Sequence, residues 1–375
     1  MAGIYIHIPF CKTRCVYCGF YSTTLLQWRQ RYVDAVCREM EMRDFHPSLS
    51  EEGVRWDTVY LGGGTPSQLT VAQLHQLFDT IHNIYKVEAD AEVTMECNPD
   101  DVTPDFAEAL SRLPVNRVSM GAQTFNDERL HLLHRRHTAG QIPVAVRRLR
   151  DAGIRNISID LMFGFPHETI DDWHDDIEQA LALDVEHLSA YSLMYEEGTP
   201  LFQLLEQGRI SEVDEELSRQ MYYDLIDRLT AAGYEHYEIS NFARQGYRSR
   251  HNSSYWNQTP YLGLGAAAHS YDGRCRRWNV DDIERYMAGM ENDHPAFEQE
   301  IIDDNTRYND IVMTALRTCE GLNLGLLTAA QQSYCLQQAQ RYLTDGLLVH
   351  EKSHLRLSRR GLYVSDMIMS DLMLV

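Results

Sequence analysis

The sequence predicts an α/β protein, an incomplete parallel barrel of six βα units followed by a small, mainly helical, winged-helix-like module. Three observations carry this expectation. Strand and helix signals alternate through about the first 240 residues, which implies a parallel sheet covered by helices with ligands at the carboxyl ends of the strands. Six units suit an open barrel better than a closed one of eight. From about Tyr234 the rhythm breaks, and helical periodicity returns after about Asp304. The expected organisation is a partial barrel over 1–233, an irregular connecting segment over 234–303 and the C-terminal module over 304–375.

The elements follow in order. Gly3 to Ile8 reads as an Ile-rich strand, and a helix follows from about Gln27 to Arg43. Thr58 to Leu61 is a second strand, ending in Gly62-Gly63-Gly64-Thr65-Pro66-Ser67. Val71 to Tyr85 is an amphipathic helix with Leu74, Leu77, Phe78 and Ile81 on one face. After a strand at Ala91 to Met95, Thr103 caps a helix with Pro104 in its first position, and Phe106, Ala109, Leu110 and Leu113 are expected to pack inward. The pattern repeats with strand Arg117 to Met120, helix Ala139 to Ala152, strand Asn156 to Met162, helix Ile170 to Leu183 and strand His187 to Ser192. A helix from about Val213 to Ala232 closes the series. Tyr237 to Asp272, rich in Gly, Ser, Asn and aromatics, reads as an irregular stretch lying across the barrel. Helices at Tyr308 to Thr318 and Leu326 to Asp345, with a strand at Leu355 to Ser358, make the last module.

Composition narrows the function classes. With 34 Lys and Arg against 55 Asp and Glu, the net charge is −21, which argues against nucleic acid as a partner unless a local basic patch exists. The basic stretches Arg135-Arg136, Arg147-Arg148 with Arg150, and Arg244 to Arg250 are short and scattered. No apolar run approaches the roughly 20 residues of a membrane span. The N-terminus lacks a basic region and alternates like a strand, so a cytoplasmic protein is expected. An acidic surface disfavours anionic lipid, so membrane contact is expected only through a partner. A homodimer is compatible with the sequence, which carries no signal on oligomeric state. Among the eight cysteines, Cys37, Cys97, Cys275, Cys319 and Cys335 are isolated and read as free thiols.

The other three, Cys11, Cys15 and Cys18, have the spacing C-x3-C-x2-C. Composition predicts about 0.004 such triplets by chance. Structural zinc wants four protein ligands, normally from paired knuckles, and no second C-x2-C exists. A redox dithiol of Cys15 and Cys18 leaves Cys11 without a role. Three thiolates on a four-iron cluster leave one iron open to a substrate. The triplet resembles that of the radical S-adenosylmethionine superfamily, where it follows the first barrel strand. The resemblance implies a [4Fe–4S] cluster whose fourth iron chelates the amino and carboxylate groups of S-adenosylmethionine.

Strand-end motifs agree. Gly62-Gly63-Gly64-Thr65-Pro66 ends the second strand, Glu96 the third and Gln123 the fourth, and Asp160 lies in the fifth. With Tyr5 to Cys11, Arg117 to Phe125 and Ile159 to Pro166, these stretches resemble the oxygen-independent coproporphyrinogen oxidase group, and within it the haem-chaperone branch. The resemblance implies that Tyr5, Gly63, Gly64, Thr65, Glu96, Gln123, Arg135, Asp160 and Met194 line the S-adenosylmethionine site.

Two departures separate the chain from the oxidising enzymes of that group. Phe20 stands where those enzymes carry a fourth cysteine, and the chain starts at the first strand, without their longer leading segment. His251-Asn252-Ser253-Ser254-Tyr255-Trp256 matches the H-N-x-x-Y-W motif of the haem-binding branch. The match implies His251 as a haem ligand, with Tyr255 and Trp256 offering flat apolar surface. Arg248 and Arg250 are candidate partners of the propionates, and His269 a candidate second ligand. His134 and His137, spaced i,i+3, are a weaker candidate metal pair. The expected function is haem binding and transfer to recipients such as respiratory cytochromes or haem-storage proteins. The alternative is a radical enzyme acting on a porphyrinogen.

Overall fold

The computed structural model describes residues 2–45 and 54–374. Six parallel strands are laid down in chain order: β1 (Ala2–Ile8), β2 (Trp56–Gly63), β3 (Val87–Cys97), β4 (Arg117–Gln123), β5 (Asn156–Phe163) and β6 (His187–Ser192). Each crossover carries a helix, as the rhythm of the sequence predicts. The sheet is open, not closed.

The strands β2 to β6 have two unlike faces. Val59, Leu61, Val93, Met95, Val118, Met120, Ile157, Ile159, Leu161, Leu188 and Ala190 point outward and are buried under the helices. Alternate residues point inward and are mostly polar, because successive side chains leave a strand on opposite sides. The covering helices have explicit starts. Thr70 and Thr169 each form a capping box, and Thr103 caps the helix Pro104–Leu110. In that last helix Ala107 and Leu110 are the buried pair, whereas Phe106 and Ala109 are only half-buried.

The segment after Tyr234 is more regular than its composition suggests. It supplies β7 (Glu235–Glu238) and β8 (Asn241–Ala243), a hairpin whose second strand pairs antiparallel with β6. It then supplies β9 (Tyr261–Leu264), parallel to β1, and β10 (His269–Tyr271), β11 (Cys275–Asn279) and β12 (Phe297–Ile301), which continue the sheet beyond it. The result is one sheet of twelve strands. Strands of three to five residues, rich in Gly and aromatics, are too short to show a period of two, which is why the sequence reads as irregular.

Between β8 and β9 lies the helix Arg250–Trp256, which carries the H-N-x-x-Y-W motif and plugs the barrel beneath the amino ends of β2 and β3. The Ser249 hydroxyl caps it by accepting from the Asn252 N–H. The Glu92 carboxylate of β3 accepts both the Arg250 and the His251 N–H, each at 3.0 Å. Gly3 is required here, since a Cβ on it would lie 2.8 Å from Thr58 Oγ1 and 3.1 Å from the His251 ring.

The C-terminal unit has its own core of Tyr308, Val312, Leu316, Cys335, Tyr342 and neighbours. Helices Asp304–Ala315 and Ala329–Thr344 pack on a small antiparallel sheet of β13 (Leu322–Asn323), β14 (Leu348–Glu351) and β15 (His354–Leu357). Among the described residues no helix is long and apolar enough to cross a membrane.

Glu92→Ala removes a charged acceptor from two backbone donors and is expected to cost about 3–5 kcal/mol in urea unfolding, with Glu92→Gln losing about half of that. Equal stability of the alanine variant would show that the floor helix is held elsewhere.

Candidate functional site

The cysteine loop leaves β1 at Ile8 and is closed at its base. Cys11 N–H donates to Thr23 O at 2.9 Å and Thr23 N–H to Pro9 O at 2.7 Å. Two short helices that the sequence reading did not anticipate, Asp127–Leu132 and Pro200–Glu206, hold the loop from outside. Val16 donates to Leu133 O at 3.3 Å and accepts from Leu201 N–H at 3.0 Å. Val16, Leu133, Met162, Phe165, Leu193 and Leu201 form a separate apolar cluster under it. Such short helices, capped by Asn126 and Thr199, carry too few turns for helical periodicity to declare itself.

All three thiols are half-buried and rim one cavity of about 450 Å³. Cys11 Sγ lies 3.4 Å from Thr65 Oγ1, and Arg135 Nη1 donates to Cys15 Sγ at 3.5 Å. Burial pushes the Cys11 and Cys18 thiols up, and the Thr65 contact opposes this at Cys11. Among the described residues no three His, Cys, Asp or Glu side chains converge on a single metal ion. The three thiols rim one cavity with the Arg135 guanidinium and the Thr65 hydroxyl beside two of them, a donor set that fits an iron–sulfur cluster.

The walls come from the strand ends. Gly63 adopts φ +106°, and a Cβ on Gly64 would lie 2.7 Å from the Pro9 backbone, so this turn can press against the root of the cysteine loop only as glycine. Glu96 accepts from Tyr60 OH at 2.7 Å and from Gly63 N–H at 3.1 Å. Burial raises its pKa to about 7, opposed by those hydrogen bonds. Asp160 is also pushed up by burial, and Ser119 OH donates to it at 3.4 Å. Arg135 is fixed by Gly121 O at 2.6 Å and Asn98 Oδ1 at 2.7 Å. Gln123 takes φ +69°, an unusual setting for a non-glycine residue, at the end of β4. Met194 is 62% exposed at the mouth, as is Phe20 at 70%.

Of the residues expected to hold S-adenosylmethionine, Gly63, Gly64, Thr65, Glu96, Gln123, Arg135, Asp160 and Met194 therefore share one cavity with the cysteines. Tyr5 does not line it. Its hydroxyl bonds His7 Nδ1 at 3.1 Å, and its ring stacks on Tyr60 and His251. The reading of the sequence passed over Tyr60, Arg117, Ser119, Ser189, Tyr191 and Asn252, which also line the cavity. For those on strands the signal was present as alternation, as in Arg117-Val118-Ser119-Met120 and His187-Leu188-Ser189-Ala190-Tyr191.

His251 sits at the floor, 1% exposed. Its Nδ1 lies 2.7 Å from Thr58 Oγ1, its Nε2 2.9 Å from Tyr255 OH, and its ring stacks on Tyr60 at 5.0 Å. Burial lowers its pKa to about 3, so the imidazole is neutral. Trp256, on the other side of the helix, faces a second cavity of about 370 Å³ against the C-terminal unit. The candidate propionate partners are engaged: Arg248 with Glu235 and Glu320, and Arg250 with Asp90 O at 2.7 Å. His269 is exposed and stacks on Trp278. His134 is exposed while His137 is buried against Ala122 O at 3.1 Å, so the two rings do not face one point.

Comparison with known proteins agrees with this geometry. The Radical SAM superfamily profile matches residues 5–180, and the HemN C-terminal domain profile matches residues 302–364. The solved coproporphyrinogen III oxidase (HemN) of Escherichia coli superposes with a TM-score of 0.84 at 22% identity, covering 99% of this chain and 89% of that one, which establishes the shared fold. The Heme chaperone HemW of Bacillus subtilis is 38% identical over 76% of this chain and 75% of its own length. That of Mycobacterium tuberculosis H37Rv is 34% identical over 99% of this chain and 94% of its own. The chain belongs to the HemW family of the radical S-adenosylmethionine superfamily.

Proposed function

We propose that this protein is a cytoplasmic haem chaperone that carries a [4Fe–4S] cluster and S-adenosylmethionine, binds haem and passes it to haem proteins such as respiratory cytochromes or haem-storage proteins. The observation that carries the reading is the convergence of Cys11, Cys15 and Cys18 with the ends of β2 to β5 on one cavity. The names of the relatives support the haem half of it.

Cys11, Cys15 and Cys18 would hold the cluster, which supplies an iron without a protein ligand to the amino and carboxylate groups of S-adenosylmethionine. The chain's own residues do the rest. Arg135, beside Cys15, offsets the thiolate charge. Glu96, the buried carboxylate nearest the glycine turn, receives the amino group. Gln123 and Asp160 offer hydrogen-bonding groups further along the wall, and Met194 covers the mouth.

Haem ligation through His251 needs one of its two ring contacts to open. The neutral imidazole is already the form that ligates iron.

Three measurements test the reading. Alanine at Cys11, Cys15 or Cys18 is expected to abolish iron and sulfide incorporation on anaerobic reconstitution. The reconstituted wild type is expected to take up haem stoichiometrically and to form no protoporphyrinogen from coproporphyrinogen; turnover would make it an enzyme instead. His251→Ala is expected to change the Soret spectrum, and an unchanged spectrum and affinity would remove His251 as ligand. Glu96 adds a pH test. With its pKa at about 7 it is largely protonated at pH 6 and charged at pH 8, so affinity for the cationic S-adenosylmethionine should rise across that interval. Glu96→Gln should flatten the rise and weaken binding about tenfold at pH 8.

A further inference from the structure

Arg117, the first residue of β4, points into the barrel and is 1% exposed. Its Nε and Nη1 are buried without a hydrogen-bond partner, and among the described residues it forms no ion pair. Several other buried or half-buried arginines of the barrel are answered. Arg43 meets Glu39 at 3.2 Å, Arg129 meets Glu168 at 3.3 Å and Asp172 at 2.9 Å, and Arg135 meets Asn98. Arg117 has no such partner; the half-buried Arg277, whose Nε is also unpartnered, lies instead over the Phe297 ring at 3.5 Å. Thr94, its register partner on β3, is fully buried, and its Oγ1 also lacks a partner. Two neighbouring residues thus leave polar atoms unanswered at one depth of the barrel. An unpaired buried guanidinium costs several kcal/mol, and proteins retain such a charge where something pairs with it.

The cavity rimmed by the cysteines reaches this level, where Arg117 shares its wall with Tyr60, Ser119, Ser189 and Asn252. Asn252 comes from the floor helix. Glu96 and Asp160 lie in the same wall and feel the Arg117 charge, yet among the described residues neither forms an ion pair with it. Their presence selects the ligand. A phosphate dianion entering here would face two acidic groups, whereas a singly charged carboxylate can take the guanidinium fork in two parallel hydrogen bonds. Tyr60, Tyr191 and Met162 give the remaining wall an apolar character that suits a ligand with a hydrophobic body.

We propose that Arg117 anchors a buried carboxylate-recognition site, between the cysteine rim and the floor helix, for a ligand that carries a carboxylate on an apolar or planar body. Two sources of that carboxylate are compatible with the chemistry, a haem propionate and the carboxylate of S-adenosylmethionine, which Arg117 would then take in place of the cluster iron. The first rests on the function proposed above; the second does not depend on haem.

The test uses the full, anaerobically reconstituted chain titrated with haem, with haem dimethyl ester and with S-adenosylmethionine, in the wild type, Arg117→Lys and Arg117→Met. If the site takes a propionate, the wild type binds haem about tenfold more tightly than its ester. Arg117→Met then loses that preference and leaves ester binding unchanged. A loss of about tenfold confined to S-adenosylmethionine assigns the carboxylate to that molecule. If Arg117→Met matches the wild type in circular dichroism and urea midpoint and binds all three probes as the wild type does, the proposal is overturned, and ordered water satisfies the guanidinium. If Arg117→Met does not fold, Arg117→Lys decides, because a point charge cannot reproduce the bidentate fork. A reduced haem-to-ester ratio or weaker S-adenosylmethionine binding in the lysine variant supports the site, and unchanged values overturn it. A wild type that takes up no haem defeats the haem reading, and the S-adenosylmethionine titration then decides the site by itself.

Discussion

The pleat of β2 to β6 gives each strand one face for folding and another for chemistry. Outward residues such as Val118, Met120, Ile157 and Ile159 are fully buried against the helices and supply the hydrophobic stabilisation of the barrel. Inward residues are thereby released from packing duty and can be polar. A one-residue slip in any of these strands would exchange the two faces, placing Glu96 or Asp160 under a helix and Met95 or Ile159 in the cavity. The register of the parallel sheet, fixed by apolar packing on its back, is therefore also what aims the cavity wall.

A polar interior is costly, and the fold limits the cost locally. Glu96 is supplied with the Tyr60 hydroxyl and a backbone N–H, Asp160 with Ser119, and Arg135 with two carbonyl-type acceptors. The floor follows the same rule: His251 has both ring nitrogens engaged and Glu92 answers two helix N–H groups. Beside these satisfied groups, two nitrogens of Arg117 and the neighbouring Thr94 hydroxyl are left unanswered. The low dielectric that makes each of these pairings strong also makes an open one expensive.

The floor is mechanically linked to the C-terminal unit. Tyr237 of β7 bonds His187 at 2.7 Å and accepts from Ser249 N–H at 3.3 Å, just ahead of the motif helix. Its backbone carbonyl accepts from Cys319 N–H at 3.0 Å. Arg317 pairs with the buried Glu238 and lies over the Trp256 ring at 5.0 Å. The helix that carries His251 is thus held on one side by the sheet and on the other by the C-terminal unit. That arrangement gives the last module a structural reason to influence the floor of the barrel.

The cysteine spacing, the glycine turn and the six βα units were legible in the sequence because each is local. A loop motif, a turn and a crossover helix are all specified within a few dozen residues. The composition after Tyr234 hid six short strands, because strands of three to five residues gain their identity from neighbours far away in the chain, as β9 does from β1. The helices at 127–132 and 200–206 were missed because they carry too few turns for periodicity to show, and with them the apolar cluster that seats the cysteine loop. The sequence by itself determined which side chains are available: three thiols, a set of strand-end acids and amides, and a histidine motif. Only the tertiary structure decided which of them meet. It put Tyr5 behind the wall, His251 beneath it with both nitrogens engaged, and Arg117 inside it unpaired, because burial and pairing depend on contacts between distant strands.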